Sequence, residues 1–316
     1  MGARAEKDKN VFSERMIFMK KRKRQSGAAY FPAGIAVLLF LSLLLSGLSL
    51  SVRAAGSAGR ENVPSVPVFL DGKATGFRAA VFRDGTAFLP LSLLARMLLD
   101  NDAFTFDRKT GTAEVSGDGI SLHARAGDCY LESNGRYFAL SGLDPAENLL
   151  YDGTLYVPVR TAARAMNGTA EWDTERRAVS LRRGQGTLCP GEDYYDADAL
   201  SCLAHILSAE AGDQPLSGQL AVGAVIMNRV KSPEFPDTVW GVVFDRRYAV
   251  QFTPTANGTY RREPEPLSVI AAKLILEGCL VSEDALYFLD PRLASSFWIT
   301  RNRTYLFSAG EHDFYS

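Results

Sequence analysis

Three patterns of apolar and polar positions follow one another along this chain. The stretch from Gln25 to Val52 contains no charged residue and is densest in leucine. Over residues 64–183, short alternating runs are bounded by Gly, Pro and Asp-Gly pairs, which is typical of strands and turns. From about residue 190, apolar residues recur at spacings of three and four, which predicts helices. The chain therefore combines a targeting segment with two globular units.

The uncharged stretch predicts export. Five consecutive basic residues, 20–24, precede it, as in a secretory signal or a membrane anchor. Val52-Arg53-Ala54 places small or apolar residues where a signal peptidase cuts, which would leave Ala55 as the mature N-terminus. The stretch is also long enough to span a bilayer, so residues 28–52 would contact the membrane if cleavage did not occur. We interpret residues 1–54 as a signal peptide or anchor and expect the remaining chain to be extracytoplasmic.

Charge and cysteine usage narrow the class of protein. The formal net charge of −1 divides into +7 over residues 1–53, −1 over 54–189 and −7 over 190–316. This distribution is a topology signal and not a nucleic-acid-binding surface, so we expect no nucleic-acid partner. The chain has only three histidines and no Cys-x-x-Cys pair, so we expect no metal centre and no cofactor. In an exported chain, up to two disulfides can form among the four cysteines, Cys129, Cys189, Cys202 and Cys279.

The middle unit contains an internal repeat. Residues 84–97 (DGTAFLPLSLLARM) and 152–165 (DGTLYVPVRTAARA) share six identical residues at a constant offset. Each copy predicts an Asp-Gly turn, a strand that ends at proline, an Ala/Leu-rich helix, and then an aromatic-Asp pair with a further strand. The copies extend over 84–116 and 152–181, and packing them together predicts an α+β unit over 64–183 with one shared core. Asp107 and Asp173, in the aromatic-Asp pairs, are interpreted as turn or capping residues.

A carboxylate lies on the apolar stripe of the first helix of the C-terminal unit. Leu200, Leu203 and Leu207 fall on one face after a cap at Asp196 or Asp198, and Glu210 continues that face before Gly212. Burial there would raise the pKa of the carboxyl, as a general acid working near neutrality requires. Periodicity alone equally allows Glu210 to turn out to solvent.

The next helix, 218–230, is apolar all round and should be the buried central helix of this unit, with Asn228 and Arg229 at its end. A third helix is expected over 266–278.

Residues 198–316 resemble the bacterial cell wall hydrolase family that includes spore cortex-lytic enzymes. The resemblance lies in AExxxxPxxGQxAVGAVxxNRV, the QF at 251–252, the YF-DP at 287–291 and the final GEHDFY. It implies a mainly α, lysozyme-like transglycosylase fold over 190–316 that acts on peptidoglycan glycan strands, with Glu210 as the catalytic acid. The family often has AEARGE, whereas this chain has Gln214 in place of the second glutamate, and only Asp213 is left nearby as a substitute.

The departure from AEARGE bears on mechanism, because hydrolysis of a glycosidic bond needs two carboxyl groups. A lytic transglycosylase needs one, since the 6-hydroxyl of N-acetylmuramic acid is its own nucleophile. We therefore expect cleavage of the MurNAc–GlcNAc β-1,4 bond by Glu210 alone. An N-acetylmuramoyl-L-alanine amidase and a non-catalytic wall-binding protein are the alternatives. The target is either spore cortex, as in sporulation and germination, or growing wall.

The family resemblance also suggests residues that bind the glycan. Gln251 would hydrogen-bond acetamido or hydroxyl groups, and aromatic residues would stack on sugar faces, with core packing as the alternative for each aromatic. The predicted substrate-binding residues are Gln251, Phe252, Tyr287, Phe288, Trp298, His312 and Tyr315.

The middle unit resembles the module named after the N-terminal domain of copper amine oxidases. The resemblance is carried by DGxxYVPxR at 152–160 within the repeat. It implies a stalk or accessory domain without copper chemistry. The sequence thus predicts an α+β protein of two domains: a duplicated strand-helix-hairpin stalk module with a structural, spacing or wall-contacting role, and the catalytic domain.

Overall fold

The computed structural model describes residues 64–82, 85–100, 103–140, 147–247, 250–294 and 296–316. The predicted export segment, residues 1–54, and Asp84 at the start of the first repeat lie outside these ranges. Within them, no helix is both long enough and apolar enough to cross a bilayer.

The N-terminal region is rich in sheet. Its strands, in chain order, are β1 (Ser65–Leu70), β2 (Lys73–Phe82), β3 (Thr86–Pro90), β4 (Ala103–Asp107), β5 (Thr112–Gly117), β6 (Ile120–Arg125), β7 (Tyr130–Ser133), β8 (Arg136–Ala139), β9 (Leu149–Tyr151), β10 (Thr154–Pro158), β11 (Thr169–Asp173) and β12 (Ala178–Arg182). The helices α1 (Leu91–Leu98) and α2 (Val159–Ala165) follow β3 and β10. A seven-stranded sheet has the order β11-β12-β1-β2-β3-β10-β9, and a five-stranded sheet runs from β4 to β8.

Local sequence explains these boundaries. Both α1 and α2 begin directly after a proline that ends a strand, and proline lacks the N–H that a continuing ladder needs. Asn134 and Gly135 both have positive φ (51° and 76°), the geometry of a tight hairpin turn, and connect β7 to β8. The carboxylates of Asp107 and Asp173 accept hydrogen bonds from the backbone N–H groups of Lys109 (2.8 Å) and Arg176 (2.9 Å). Both aspartates are thus turn residues, as predicted.

The two repeat segments share a core, but their hairpins do not occupy equivalent places. Leu94 and Ala95 of α1 and Ala162 and Ala163 of α2 are fully buried in one apolar cluster. Each segment has the order strand, helix, hairpin. The first hairpin, β4–β5, belongs to the five-stranded sheet, whereas the second, β11–β12, belongs to the seven-stranded one. Strands β6 to β8, which the sequence analysis did not assign, extend β5 and account for the difference.

The C-terminal region is mainly helical and ends in a small sheet. Its helices are α3 (Gly191–Tyr194), α4 (Ala197–Ala211), α5 (Leu216–Lys231), α6 (Val239–Val243), α7 (Pro254–Asn257), α8 (Pro266–Leu276) and α9 (Trp298–Asn302), with a 3-10 turn at Thr259–Arg261. Strands β13 (Tyr287–Leu289), β14 (Tyr305–Ala309) and β15 (His312–Tyr315) form an antiparallel sheet with β15 in the centre.

Helix α5 lies at the centre of the hydrophobic core of the C-terminal region. This position was predicted from its apolar residues on all sides. Small residues let its neighbours approach closely: a Cβ on Gly223 would collide with Cδ1 of Ile275 in α8 and would touch Leu207 in α4. Helices α4, α5 and α8 pack against one another around this contact. The contact fixes the end of α4, where Glu210 lies.

Candidate active site

Glu210 lies in the last turn of α4. The carboxylate of Asp196 caps the helix by accepting a hydrogen bond from the N–H of Ala199 at 2.7 Å, and Leu203 and Leu207 on the inward face are fully buried. Glu210 follows one turn later on the same stripe and is mostly buried, with part of its surface at a cleft. Of the two orientations that periodicity allowed, the inward one is therefore the one adopted.

Burial dominates the electrostatics of Glu210. Loss of solvent raises the pKa of its carboxyl from 4.5 to about 7. No described residue forms an ion pair with it, so no neighbouring cation offsets the burial. Near neutral pH the carboxyl group is therefore divided between its acid and base forms, and it can both donate and accept a proton.

The cleft beside Glu210 has a volume of about 540 Å³. Its walls come from the ends of α4 and α5, the segment before α7, the segment from β13 to α9, and the β14–β15 turn. The lining side chains are Glu210, Asp213, Gln214, Arg229, Gln251, Thr253, Tyr287, Phe288, Leu289, Asp290, Arg292, Leu293, Ala294, Ser296, Trp298, Ile299, Glu311 and His312.

Six of the eight residues predicted from the sequence meet at this cleft. Besides Glu210, they are Gln251, Tyr287, Phe288, Trp298 and His312. The other two lie outside the lining. Phe252 is buried in the core with its ring centroid 6.3 Å from that of Phe288, and Tyr315 is buried against Tyr305 at 5.7 Å.

Aromatic residues on one wall are held in place by an arginine. The rings of Tyr287 and Trp298 are 6.2 Å apart, and the guanidinium of Arg303 lies 4.4 Å and 5.2 Å from their centroids. Nη2 of Arg303 also donates to the hydroxyl of Tyr287 at 2.8 Å. Fixed aromatic faces of this kind suit the apolar faces of sugar rings. The sequence analysis missed Arg303, which no local motif distinguishes from a surface cation.

Arg229 lines the cleft and does more than close α5. Its Nε donates to the carbonyl of Leu286 at 2.8 Å, and Nη1 donates to Oε1 of Gln251 at 3.4 Å. Burial lowers the pKa of Arg229 to about 10, so the side chain is still a cation at neutral pH. Arg229 thus fixes the carbonyl end of the Gln251 amide. Asn228, by contrast, anchors the carbonyls of Ser282 and Ala285, both at 3.0 Å.

The remaining carboxylates of the cleft are engaged elsewhere. Arg292 forms ion pairs with both Asp290 and Glu311, and these contacts hold the pKa of each carboxyl below its usual range. Asp213 accepts a hydrogen bond from Nε2 of Gln214 at 3.1 Å. Burial lowers the pKa of His312, so its ring is neutral at pH 7. Glu210 differs from Asp290 and Glu311, because burial raises the pKa of its carboxyl.

Within the described ranges, no group of three or more His, Cys, Asp or Glu side chains is arranged to hold a metal ion. All four cysteines are free thiols in the structure.

Comparisons with known proteins agree with both resemblances. Residues 213–315 match the family model described as Cell Wall Hydrolase, and residues 69–181 match that of the Copper amine oxidase N-terminal domain. The first match begins three residues after Glu210, so it does not test the prediction that Glu210 is the catalytic acid.

Curated relatives are named spore cortex-lytic enzymes. The protein from Oceanobacillus iheyensis is 38% identical over 120 residues, covering 38% of this chain and 42% of the relative. That from Bacillus subtilis is 35% identical over 120 residues, covering 38% of each. The chain thus spans about two fifths of the length of these relatives.

Solved structures of catalytic domains also match. The germination-specific lytic transglycosylase SleB from Bacillus anthracis is 33% identical, with 41% of this chain and all of that chain covered and a TM-score of 0.36. SleB from Bacillus cereus is 34% identical, with 39% and 92% covered and a TM-score of 0.35. By the family models and the curated relatives, residues 213–315 match a cell wall hydrolase domain similar to that of spore cortex-lytic enzymes, and residues 69–181 match a copper amine oxidase N-terminal domain.

Proposed function

We propose that this chain is an exported peptidoglycan-degrading enzyme that cleaves the MurNAc–GlcNAc β-1,4 bond as a lytic transglycosylase. The observation that carries the proposal is the Glu210 carboxyl, whose pKa burial raises to about 7, in a 540 Å³ cleft with a fixed aromatic wall. The names of the homologues support the same substrate class.

Glu210 performs both proton transfers in this mechanism. Its protonated carboxyl first donates to the glycosidic oxygen as the bond from C1 of N-acetylmuramic acid breaks. The 6-hydroxyl of the same sugar then attacks C1, and the Glu210 carboxylate takes the hydroxyl proton. The products are a 1,6-anhydro end and a free 4-hydroxyl on N-acetylglucosamine, and Glu210 returns to its acid form without consuming water.

The state of the other carboxylates favours this route over hydrolysis. A hydrolase of either stereochemistry needs a second carboxyl group as base or nucleophile. Asp290 and Glu311 are paired with Arg292, and Asp213 is bonded to Gln214. Asp213 is the one that a hydrolytic mechanism would have to recruit.

Arg303 and Arg229 prepare the cleft for substrate. Arg303 holds Tyr287 and Trp298, the rings that would stack on sugars, and Arg229 fixes the amide of Gln251, which would bond to an acetamido or hydroxyl group.

The two repeat segments of the N-terminal domain are proposed to derive from a duplication and to serve a structural, spacing or wall-contacting role. The site of action is the wall or spore cortex outside the cytoplasm.

Digestion of purified sacculi tests the proposal. The full chain and its Glu210→Gln variant are incubated with sacculi, with Glu263→Gln, an exposed glutamate outside the cleft, as the matched control. Muropeptides lighter by one water than hydrolysed ones, formed by wild type and control but not by Glu210→Gln, are the expected result. Hydrated sugar ends would indicate a muramidase, new free amino groups an amidase, and binding without products a non-catalytic protein.

A further inference from the structure

Gln214 occupies the position where the similar family often has glutamate, and its side chain is almost fully buried, with 6% exposed. Oε1 accepts a hydrogen bond from the backbone N–H of Glu311 at 2.8 Å. Nε2 donates to Oδ1 of Asp213 at 3.1 Å and to Oε2 of Glu311 at 3.2 Å. The amide therefore uses its acceptor and its donors at once, and both donors face carboxylates.

These bonds connect segments that are far apart in the chain. Gln214 lies between α4 and α5, and its own backbone carbonyl accepts from Nε2 of Gln219 at 3.2 Å. Glu311 lies in the β14–β15 turn, and its carboxylate also binds Arg292, which pairs with Asp290 in the loop after β13. Gln214 thus joins the loop that follows Glu210 to two other walls of the cleft.

The backbone of the β14–β15 turn approaches the side chain of Gln214 closely. Gly310 has a φ of +60°, and a Cβ at this position would collide with Oε1 of Gln214. The residue after Glu311 is His312, which lines the cleft with only 8% of its surface exposed and has a buried Nδ1 without a hydrogen-bond partner in the described chain. A shift of the turn would therefore move His312 relative to Glu210.

Only a side chain that both donates and accepts satisfies this position. A glutamate could accept from the N–H of Glu311, but its second oxygen would face the carboxylates of Asp213 and Glu311, where an anion is repelled. Arg292 is the nearby cation, and both of its carboxylate partners already engage it. A glutamate would fit here only in its protonated form.

We propose that Gln214 is a positioning residue that holds the β14–β15 turn, and with it His312, against the cleft of Glu210, and that it does so because it is an amide. The proposal rests on the transglycosylase function above. In this role Gln214 does not replace the missing second catalytic carboxylate. A glutamate restored at this position would therefore damage the site.

The test compares Gln214→Glu with wild type across pH in the full chain. The control is Gln185→Glu, which adds the same charge at an exposed residue of the segment between the domains. Dividing the kcat/KM of the variant by that of wild type at each pH cancels the effect of Glu210 titration, which both proteins share. We expect this ratio to be near one at pH 5 and to fall by about tenfold or more at pH 8, with the control flat.

A reciprocal variant and a spectroscopic measurement sharpen the test. Gln214→Glu combined with Glu311→Gln restores one amide and one carboxylate across the contact, and it should recover part of the loss at pH 8. His312 is one of only three histidines, so its ring signals are resolvable by NMR. The difference between their shifts in variant and wild type should change with pH for Gln214→Glu and stay constant for Gln185→Glu, whether or not the enzyme makes anhydro products.

Three outcomes would overturn the proposal: a pH-independent activity ratio, His312 signals that do not respond to Gln214→Glu, or hydrated sugar ends made by that variant. The last would mean that a glutamate at 214 acts as a second catalytic carboxylate. Failure of wild type to form anhydro ends would instead count against the proposed function, and the NMR result would then decide the positioning role alone.

Discussion

Arg136 in β8 and Glu277, directly after α8, form a bidentate ion pair between the two domains. Nε to Oε1 is 2.6 Å and Nη2 to Oε2 is 2.8 Å, with 11% and 3% of the side chains exposed. The hydroxyl of Tyr195 donates to the same Glu277 oxygen at 3.1 Å, and Nζ of Lys273 donates to the carbonyl of Gly135 at 3.1 Å. Because α8 packs on α4, the N-terminal domain braces the helix that carries Glu210.

Removing one partner of this pair should destabilise the protein strongly. Arg136→Ala leaves Glu277 buried without its cation, and the expected loss is about 3–5 kcal/mol in the free energy of unfolding. Arg125→Ala is the control, because Arg125 pairs with Asp128 at 3.3 Å with 61% of its side chain exposed and should cost about 1 kcal/mol or less. Urea unfolding measures both, and equal losses would contradict a bracing role.

Activity should depend on the protonation of Glu210. A general acid with a pKa of about 7 must be protonated to start the reaction, so kcat/KM should fall as pH rises through 7. The measurement is the pH profile between 5 and 9 with a soluble glycan fragment. His312→Gln serves as the control, since the pKa of His312 is lowered and this variant should keep the same alkaline limb. Loss of that limb in the control would assign it to the histidine.

The raised pKa of Glu210 should also have a stability cost. The folded state binds the proton more tightly than the unfolded state, so this group stabilises the fold fully below pH 4.5, and that stabilisation is lost as pH rises through about 7. The loss for a shift of this size is about 3 kcal/mol. Glu210→Gln should therefore become more stable relative to wild type as pH rises, whereas Glu263→Gln should not. Urea unfolding at pH 4.5 and 8 distinguishes the two.

The packing at Gly223 predicts a rescue. Gly223→Ala puts a methyl group against Cδ1 of Ile275 and should cost about 1–3 kcal/mol through overpacking of the core. Ile275→Val removes that Cδ1 atom, so the double variant should recover most of the loss. Thermal unfolding of the two single variants and the double variant completes the cycle. Additive losses would show that the helices adjust in some other way.

The sequence predicted what local periodicity encodes. The capped apolar stripe from Asp196 to Glu210 predicted α4, and the apolar circumference of residues 218–230 predicted that α5 is buried. What the sequence did not predict depends on pairings between distant residues. Gln214 and Glu311 are 97 positions apart, and Arg136 and Glu277 are 141 apart. No repeat or spacing connects such residues, because each pairing is set by how whole elements pack.

The two edges of the seven-stranded sheet differ, and this bears on solubility. Strand β11 ends the described sheet on one side and carries Glu171 and Asp173, whose charges oppose pairing with a second chain. Strand β9 ends it on the other side with Leu150 and Tyr151 half exposed. It is only three residues long, so it offers too short a template for a neighbouring strand to add stably. Charge thus opposes the addition of a second chain at the β11 edge, and the short length of β9 opposes it at the other edge.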